Sequence, residues 1–143
     1  MKRILIMGLP GAGKTTLAAD IGARLLFNKK FTWFNADAIR ERYNDWDFSG
    51  EGRLRQARRM RELADKEIEQ GRLAICDFVC PLPEMREIFD ADITVWVDTD
   101  QEGRYEDTNK LFVAPEKYDF RVTEKDSTKW AAIIATHLLD NLR

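Results

Sequence analysis

The chain has 143 residues, 44% hydrophobic and 34% charged, the composition of one soluble globular domain with room for a core and none for a separate partner domain. A formal net charge of −2 argues against a broad nucleic-acid-binding face, and no apolar run reaches the roughly 18 residues of a membrane span. Met1-Lys2-Arg3 leads straight into a short apolar run without a signal-peptide cleavage site, so the cytoplasm is the expected compartment. Cys76 and Cys80, close together in one segment, read as reduced thiols rather than a disulfide or half a metal site.

Apolar runs and helical patterns alternate along the chain. A first strand covers residues 3–7, and a helix follows over about 13–26 with Leu17, Ile21 and Leu25 facing inward. A second strand, Phe31-Thr32-Trp33-Phe34, ends at Asn35. A short helix over about 36–43 then meets the turn-rich stretch 44–50. A long helix spans about 51–70 and stops at Gly71. The third strand is Leu73-Ala74-Ile75-Cys76-Asp77. Pro81 and Pro83 precede a short helix at about 84–89, and the fourth strand, 93–97, closes at Asp98. The polar stretch 99–117 reads as a partly helical lid. A fifth strand is expected at about 119–122 and a last helix at about 125–141, its core side carried by Trp130, Ile133, Ile134, Leu138 and Leu142. Lone His137 on that helix reads as packing. This order predicts an α/β fold, a three-layer α/β/α sandwich around a five-stranded parallel sheet.

Between the first strand and first helix lies Gly8-Leu9-Pro10-Gly11-Ala12-Gly13-Lys14-Thr15-Thr16, a complete phosphate-binding P-loop in its proper strand–loop–helix setting. Gly8, Gly11 and Gly13 let the backbone curl so that successive N–H groups converge on phosphate oxygens. The following helix adds its positive end. Lys14 supplies a point charge for the β- and γ-phosphates, and the Thr15 hydroxyl is placed to hold Mg²⁺. The loop therefore predicts binding of a nucleoside triphosphate, ATP, in a fold of the P-loop nucleotide-kinase type.

Ligands of such sheets lie beyond the carboxyl ends of the strands, where Asn35, Asp37, Asp77 and Asp98 cluster. Asp37 is placed for an acceptor hydroxyl or a magnesium-bound water; its bland reading is the cap of a helix over 38–43. Asp77 ends an apolar strand as a metal-site carboxylate would, or is a plain strand-end turn residue. The long helix is basic at its start (Arg53, Arg55, Arg58, Arg59, Arg61) and acidic at its end, against its own dipole. Either an anionic ligand sits among Arg40, Arg53 and their neighbours, or the face is solvated and laced by pairs such as Arg58–Glu62 and Arg61–Asp65. Arg53, nearest the strand edge, is the candidate for ligand contact.

The P-loop, then Asn35-Ala36-Asp37-Ala38-Ile39-Arg40 with Asn44, then Phe48-Ser49 with Arg53, then Phe78-Val79-Cys80-Pro81, resembles the adenylylsulfate (APS) kinase family. That family shows GLSGAGKTT, DGDNVR followed by LN, GFS with a downstream Arg, and FISP, in this order. The resemblance covers residues 1–100 well and the lid poorly. It implies ATP-dependent phosphorylation of the 3′-hydroxyl of APS to give PAPS, with Mg²⁺ and with Lys14, Asp37 and Arg53 catalytic. It implies that Arg40, Asn44 and Arg53 hold the acceptor, with Val79 and Cys80 beside it. Phe48 would stack on its adenine, opposed by Phe112 from the lid. Arg104 and Lys110 are lid candidates for nucleotide contacts. A homodimer is in keeping with the family.

The departures bear on the acceptor. Asn35 stands for the first Asp of DGD, Asp77 for a Ser, Cys80 for the Ser of FISP and Pro10 for the Ser of the P-loop. The family's lysine-rich lid helix and FTGID-like segment are missing. Two other readings stand beside APS kinase: a P-loop kinase for another small-molecule, nucleotide or polynucleotide-end hydroxyl, and a non-catalytic nucleotide-binding module.

Overall fold

The computed structural model describes residues 2–26, 30–99 and 110–141. Five parallel strands are β1 (Arg3–Met7), β2 (Phe31–Asn35), β3 (Leu73–Asp77), β4 (Ile93–Val97) and β5 (Phe120–Val122), in the order β2-β3-β1-β4-β5. The helices are α1 (Lys14–Leu25), α2 (Ala36–Tyr43), α3 (Gly50–Glu69), α4 (Pro83–Phe89) and α5 (Ser127–Asn141). The three-layer sandwich read from the alternating pattern is the fold.

Successive side chains of a strand point to opposite faces, and the core divides accordingly. Ile4, Ile6, Leu73 and Ile75 pack with Leu17 and Ile21 of α1 and with Ile134 and Leu138 of α5. Leu5, Met7, Ala74 and Cys76 pack on the other face with Ala57, Met60 and Ala64 of α3 and Phe89 of α4. Cys76 and Cys80 are free and buried. No helix among the described residues is long and apolar enough to cross a membrane.

Local chemistry sets the helix ends. Asn35 caps α2, its Oδ1 accepting from the Ala38 N–H at 3.0 Å. Ser49 caps α3 through the Gly52 N–H at 3.2 Å. At the other end of α3, Gly71 takes a φ of +79° while its N–H reaches Ile68 and that of Arg72 reaches Glu67, a Schellman stop.

Three expectations need correction. The cap of α2 is Asn35 and not Asp37, because the helix starts at Ala36 and Asp37 already lies in its first turn. The last helix begins at Ser127, because the Asp126 carboxylate accepts from the Lys129 N–H and holds the chain outside the helix until there. Its inward stripe is Ala131, Ile134, Ala135 and Leu138; Ile133, one residue out of that period, is 42% exposed, and Trp130 is only partly buried. Leu142 and most of the expected lid, Arg104 included, lie outside the described residues.

Candidate functional site

The P-loop is built against the end of β4. Gly8 has a φ of +150°, and a Cβ there would lie 2.3 Å from the Val97 carbonyl oxygen. Only glycine lets β1 leave the sheet so close to its neighbour. Gly13, at φ +105°, turns the chain into α1, and a Cβ there would meet no atom within 4 Å. The Thr99 hydroxyl fastens the loop from outside by donating to the Ala12 carbonyl at 2.6 Å. Lys14 is buried and its Nζ donates back to the Leu9 carbonyl at 3.0 Å.

Below the loop, β2 and β3 bring a polar cluster to Thr15. Asp77, only 2% exposed, accepts from the indole Nε1 of Trp33 at 2.6 Å, from Asn35 Nδ2 at 3.1 Å and from the Thr15 hydroxyl at 3.4 Å. Asn35 Nδ2 also donates to Thr15 Oγ1 at 3.2 Å. Burial pushes the Asp77 carboxyl above its ordinary range; the donors Trp33 and Asn35, the Lys14 charge and Thr15 act against that rise.

Lys14, Thr15, Asn35 and Asp77 form one wall of a cleft of about 840 Å³. Pro10, Gly11, Gly13, Thr16 and the exposed Asp37 also line it, and Arg40, Trp46, Phe48, Arg53 and Gln56 line it from α2, α3 and the loop between them. Arg40 is 4% and Arg53 7% exposed, and burial lowers the pKa of each guanidinium. Arg40 Nη1 donates to the carbonyls of Asp45 and Asp47, and Arg53 Nε to that of Phe48. Both guanidiniums stand over the Phe48 ring, at 4.2 and 5.5 Å from its centroid. Val79 and Cys80 complete the floor with Phe78 and Pro81. Burial pushes the Cys80 thiol up to about 12, so this cysteine is an inert surface and not a nucleophile.

The basic start of α3 divides in two. Arg53 faces the cleft, while Arg55 and Arg59 pair with Asp45 at 2.8 and 2.9 Å. Arg55 also reaches Asp47, at 3.0 Å. The anions that offset the helix dipole there therefore come from the chain itself, from the preceding loop. Of the helical pairs anticipated on this face, Arg61–Asp65 forms at 2.9 Å.

Three residues expected to contact the substrates, Asn44, Phe112 and Lys110, stand elsewhere. Asn44 is the left-handed C-cap of α2, with its N–H on Arg40 and Glu41, and does not line the cleft. Phe112 packs on the second core cluster with Arg86 over its ring, because Val113 is tied to Pro81 and draws the segment down. Lys110 is exposed and off the wall. Gly8, Leu9 and Ala12 of the P-loop do not line the cleft. Trp46 and Gln56 were not anticipated. Trp46 lies two residues before Phe48, and Gln56 falls one helical turn after Arg53, a spacing that could have found it. On the far side of the loop a hollow of about 120 Å³ shares Gly13 and Thr16 with the cleft and runs between Leu17, Val97, Thr99 and Val122.

The family model for adenylylsulphate kinase matches residues 2–116, which include every element of this cleft. The chain belongs to the adenylylsulphate kinase family. It is 38% identical over 88 residues to an adenylyl-sulfate kinase of Bacillus pumilus, a match covering 59% of this chain and 44% of that one. The chain thus spans less than half the length of the curated relatives it matches. An APS kinase of Mycobacterium tuberculosis, solved in complex with AMPPNP and APS, shares the fold with a TM-score of 0.81 at 21% identity, covering 98% of each chain. Shikimate kinase from Aquifex aeolicus follows the same fold with a TM-score of 0.66 at 17% identity, covering 98% of each chain. Membership accounts for the order of the P-loop, the β2-end segment and the Phe48-to-Arg53 segment.

Proposed function

We propose that the cleft transfers the terminal phosphoryl group of ATP to the 3′-hydroxyl of adenylylsulfate, giving PAPS and ADP. The observation that carries this reading is one cleft with a phosphate cradle on one wall and, facing it, two buried guanidiniums beside aromatic surface. The P-loop N–H groups and Lys14 take the phosphates of ATP, and the hollow behind Gly13 and Thr16 suits the nucleotide's base. Arg40 and Arg53 give the opposite wall the positive charge that an anionic acceptor needs, and Phe48 and Trp46 give it surface for a base.

In the transfer, a bond forms between the acceptor oxygen and the γ-phosphorus. The bond from that phosphorus to the β–γ bridging oxygen breaks, and ADP leaves with the electron pair. The hydroxyl proton passes to the exposed Asp37 carboxylate, in the first turn of α2. Among the described residues no group of three or more His, Cys, Asp or Glu side chains could hold a metal alone. The hard oxygens of Thr15, Asp77 and Asp37 nevertheless fit Mg²⁺, which takes few protein ligands beside phosphates and water. When bound, Mg²⁺ supplies charge neutralisation at the β- and γ-phosphate oxygens.

The test is ADP release measured with ATP, Mg²⁺ and APS. Release should depend on APS and fall by about 10²-fold or more in Lys14→Ala, the scale of losing one charge-stabilising donor. Transfer to shikimate or a sugar with none to APS would overturn the acceptor while leaving phosphotransfer intact. Nucleotide binding without turnover on any acceptor would overturn both.

A further inference from the structure

We infer that Arg86 is a positioning residue for the acceptor side of the cleft. Its one guanidinium seats the floor, Val79-Cys80-Pro81, against α4 and ties to it the segment at Val113. The inference rests on the reading of that side as the acceptor's, and Arg86 does not itself line the cleft.

The floor leaves β3 after Asp77 and belongs to no strand or helix until α4 begins at Pro83. Its carbonyls therefore need partners from outside a sheet ladder. The Phe78 N–H still donates to Ile6 at 3.1 Å, and the Val79 carbonyl takes the Gly8 N–H at a long 3.4 Å. The next two carbonyls belong to Arg86. Its Nε donates to that of Cys80 at 3.1 Å and its Nη2 to that of Pro81 at 3.2 Å. Nε and Nη2 share one edge of a planar fork, so one side chain fixes two successive carbonyls.

The backbone at Cys80 shows that this seat is imposed. Its φ of +49° is left-handed, a state that a residue with a Cβ keeps only where its surroundings fix it. The same Nη2 also donates to the Val113 carbonyl, and the Val113 N–H donates to the Pro81 carbonyl at 2.9 Å. Arg86 and Pro81 thus hold both backbone groups of Val113, with the Arg86 guanidinium 5.4 Å from the centroid of the Phe112 ring. Val79, Cys80 and Pro81 line the cleft with Met85 of the same short helix. Unseating them moves the surface on which the acceptor lies. The phosphate cradle is held from elsewhere, by the close approach of Gly8 to Val97 and by the Thr99 hydroxyl on Ala12.

Two thiols report on the floor, because Cys76 lies in β3 and Cys80 in the floor, both free and buried. The experiment follows iodoacetamide labelling of each cysteine by mass spectrometry under native conditions, beside kinetics with ATP, Mg²⁺ and APS. Arg86→Ala should label Cys80 about 10–100-fold faster than the wild type, the scale of losing a hydrogen bond to a charged group, with Cys76 unchanged. The Arg86 charge lowers the Cys80 pKa, so its loss alone would slow labelling, and acceleration reports opening of the floor. The KM for APS should rise about tenfold while kcat and AMPPNP affinity stay within about threefold. Arg86→Lys keeps the charge without the fork, and its Cys80 labelling should fall between the two. Ile134→Ala, which weakens the core away from the cleft, should leave the KM for APS where it was. The inference is overturned if Cys80 labels no faster in Arg86→Ala, if Cys76 accelerates with it as in a merely loosened fold, or if the KM for APS does not move. Should Arg86→Ala fail to fold, as judged by circular dichroism, wild-type labelling and KM in Arg86→Lys overturn it instead. A wild type that binds AMPPNP but never turns over APS sinks the acceptor reading alone. Selective labelling of Cys80 then decides by itself whether Arg86 seats the floor.

Discussion

A methyl group added at Gly8 would meet the Val97 carbonyl oxygen at 2.3 Å, and both partners are backbone, so neither can turn aside. At φ +150° the substitution is strained as well. Gly8→Ala should therefore cost about 1–3 kcal/mol or more in chemical denaturation and weaken AMPPNP binding with it. Other residues were only half legible. The P-loop was legible through residue type and spacing, and Arg53, picked out at the strand edge, does line the cleft. Asn35 read as a departure and Asp77 as a metal-site carboxylate or a strand-end residue, and only the register makes them partners on one rung. Phe112 misled for the same reason, since nothing local to it says that Val113 will bond to Pro81.

At the scale of the element, α3 is the instructive case. Its basic start looked opposed to its own dipole, and the relief comes from Asp45 and Asp47 in the loop before it. The Arg55 and Arg59 guanidiniums hold the Asp45 carboxyl well below its ordinary 3.8. A carboxyl depressed on folding contributes stability that is present above its unfolded pKa and lost as pH falls towards its folded one. Thermal unfolding of the wild type should thus worsen as pH drops below about 4. Asp45→Asn should start from a lower midpoint at neutral pH and show a smaller acid-induced fall. Asp77 is shifted the other way, by burial, but it is common to both proteins and cancels in the comparison. Equal acid slopes in the two proteins would refute this account of α3. The stop of α3 at Gly71 was legible because it acts through its own neighbours in sequence, whereas the cap of α2 and the start of the last helix were not.

For the whole molecule, the order β2-β3-β1-β4-β5 puts the P-loop strand at the centre and gathers the strand ends into one edge. The helix carrying Lys14 and Thr15 is backed by α5 through Leu17, Ile21, Ile134 and Leu138. Ile134→Ala should cost about 2–5 kcal/mol of unfolding free energy, as cavities in packed cores do. Below the melting transition, AMPPNP affinity should stay near that of the wild type, because Ile134 touches the core and not the cleft. A weakened affinity there would mean that α5 shapes the loop as well as supporting it. From the chain alone came the strand–helix alternation, the parallel sandwich, the phosphate cradle and the family resemblance, because periodicity, caps and the P-loop are written in residues close to one another. Only the tertiary structure decided which residues of the acceptor half face the cleft. Trp46 and Gln56 line it, Asn44 and Phe112 do not, and Asp77 at the end of β3 meets the Thr15 hydroxyl. Except for Gln56, which its helical spacing from Arg53 could have found, those outcomes depend on strand register and on contacts between segments distant in sequence, which no local pattern encodes.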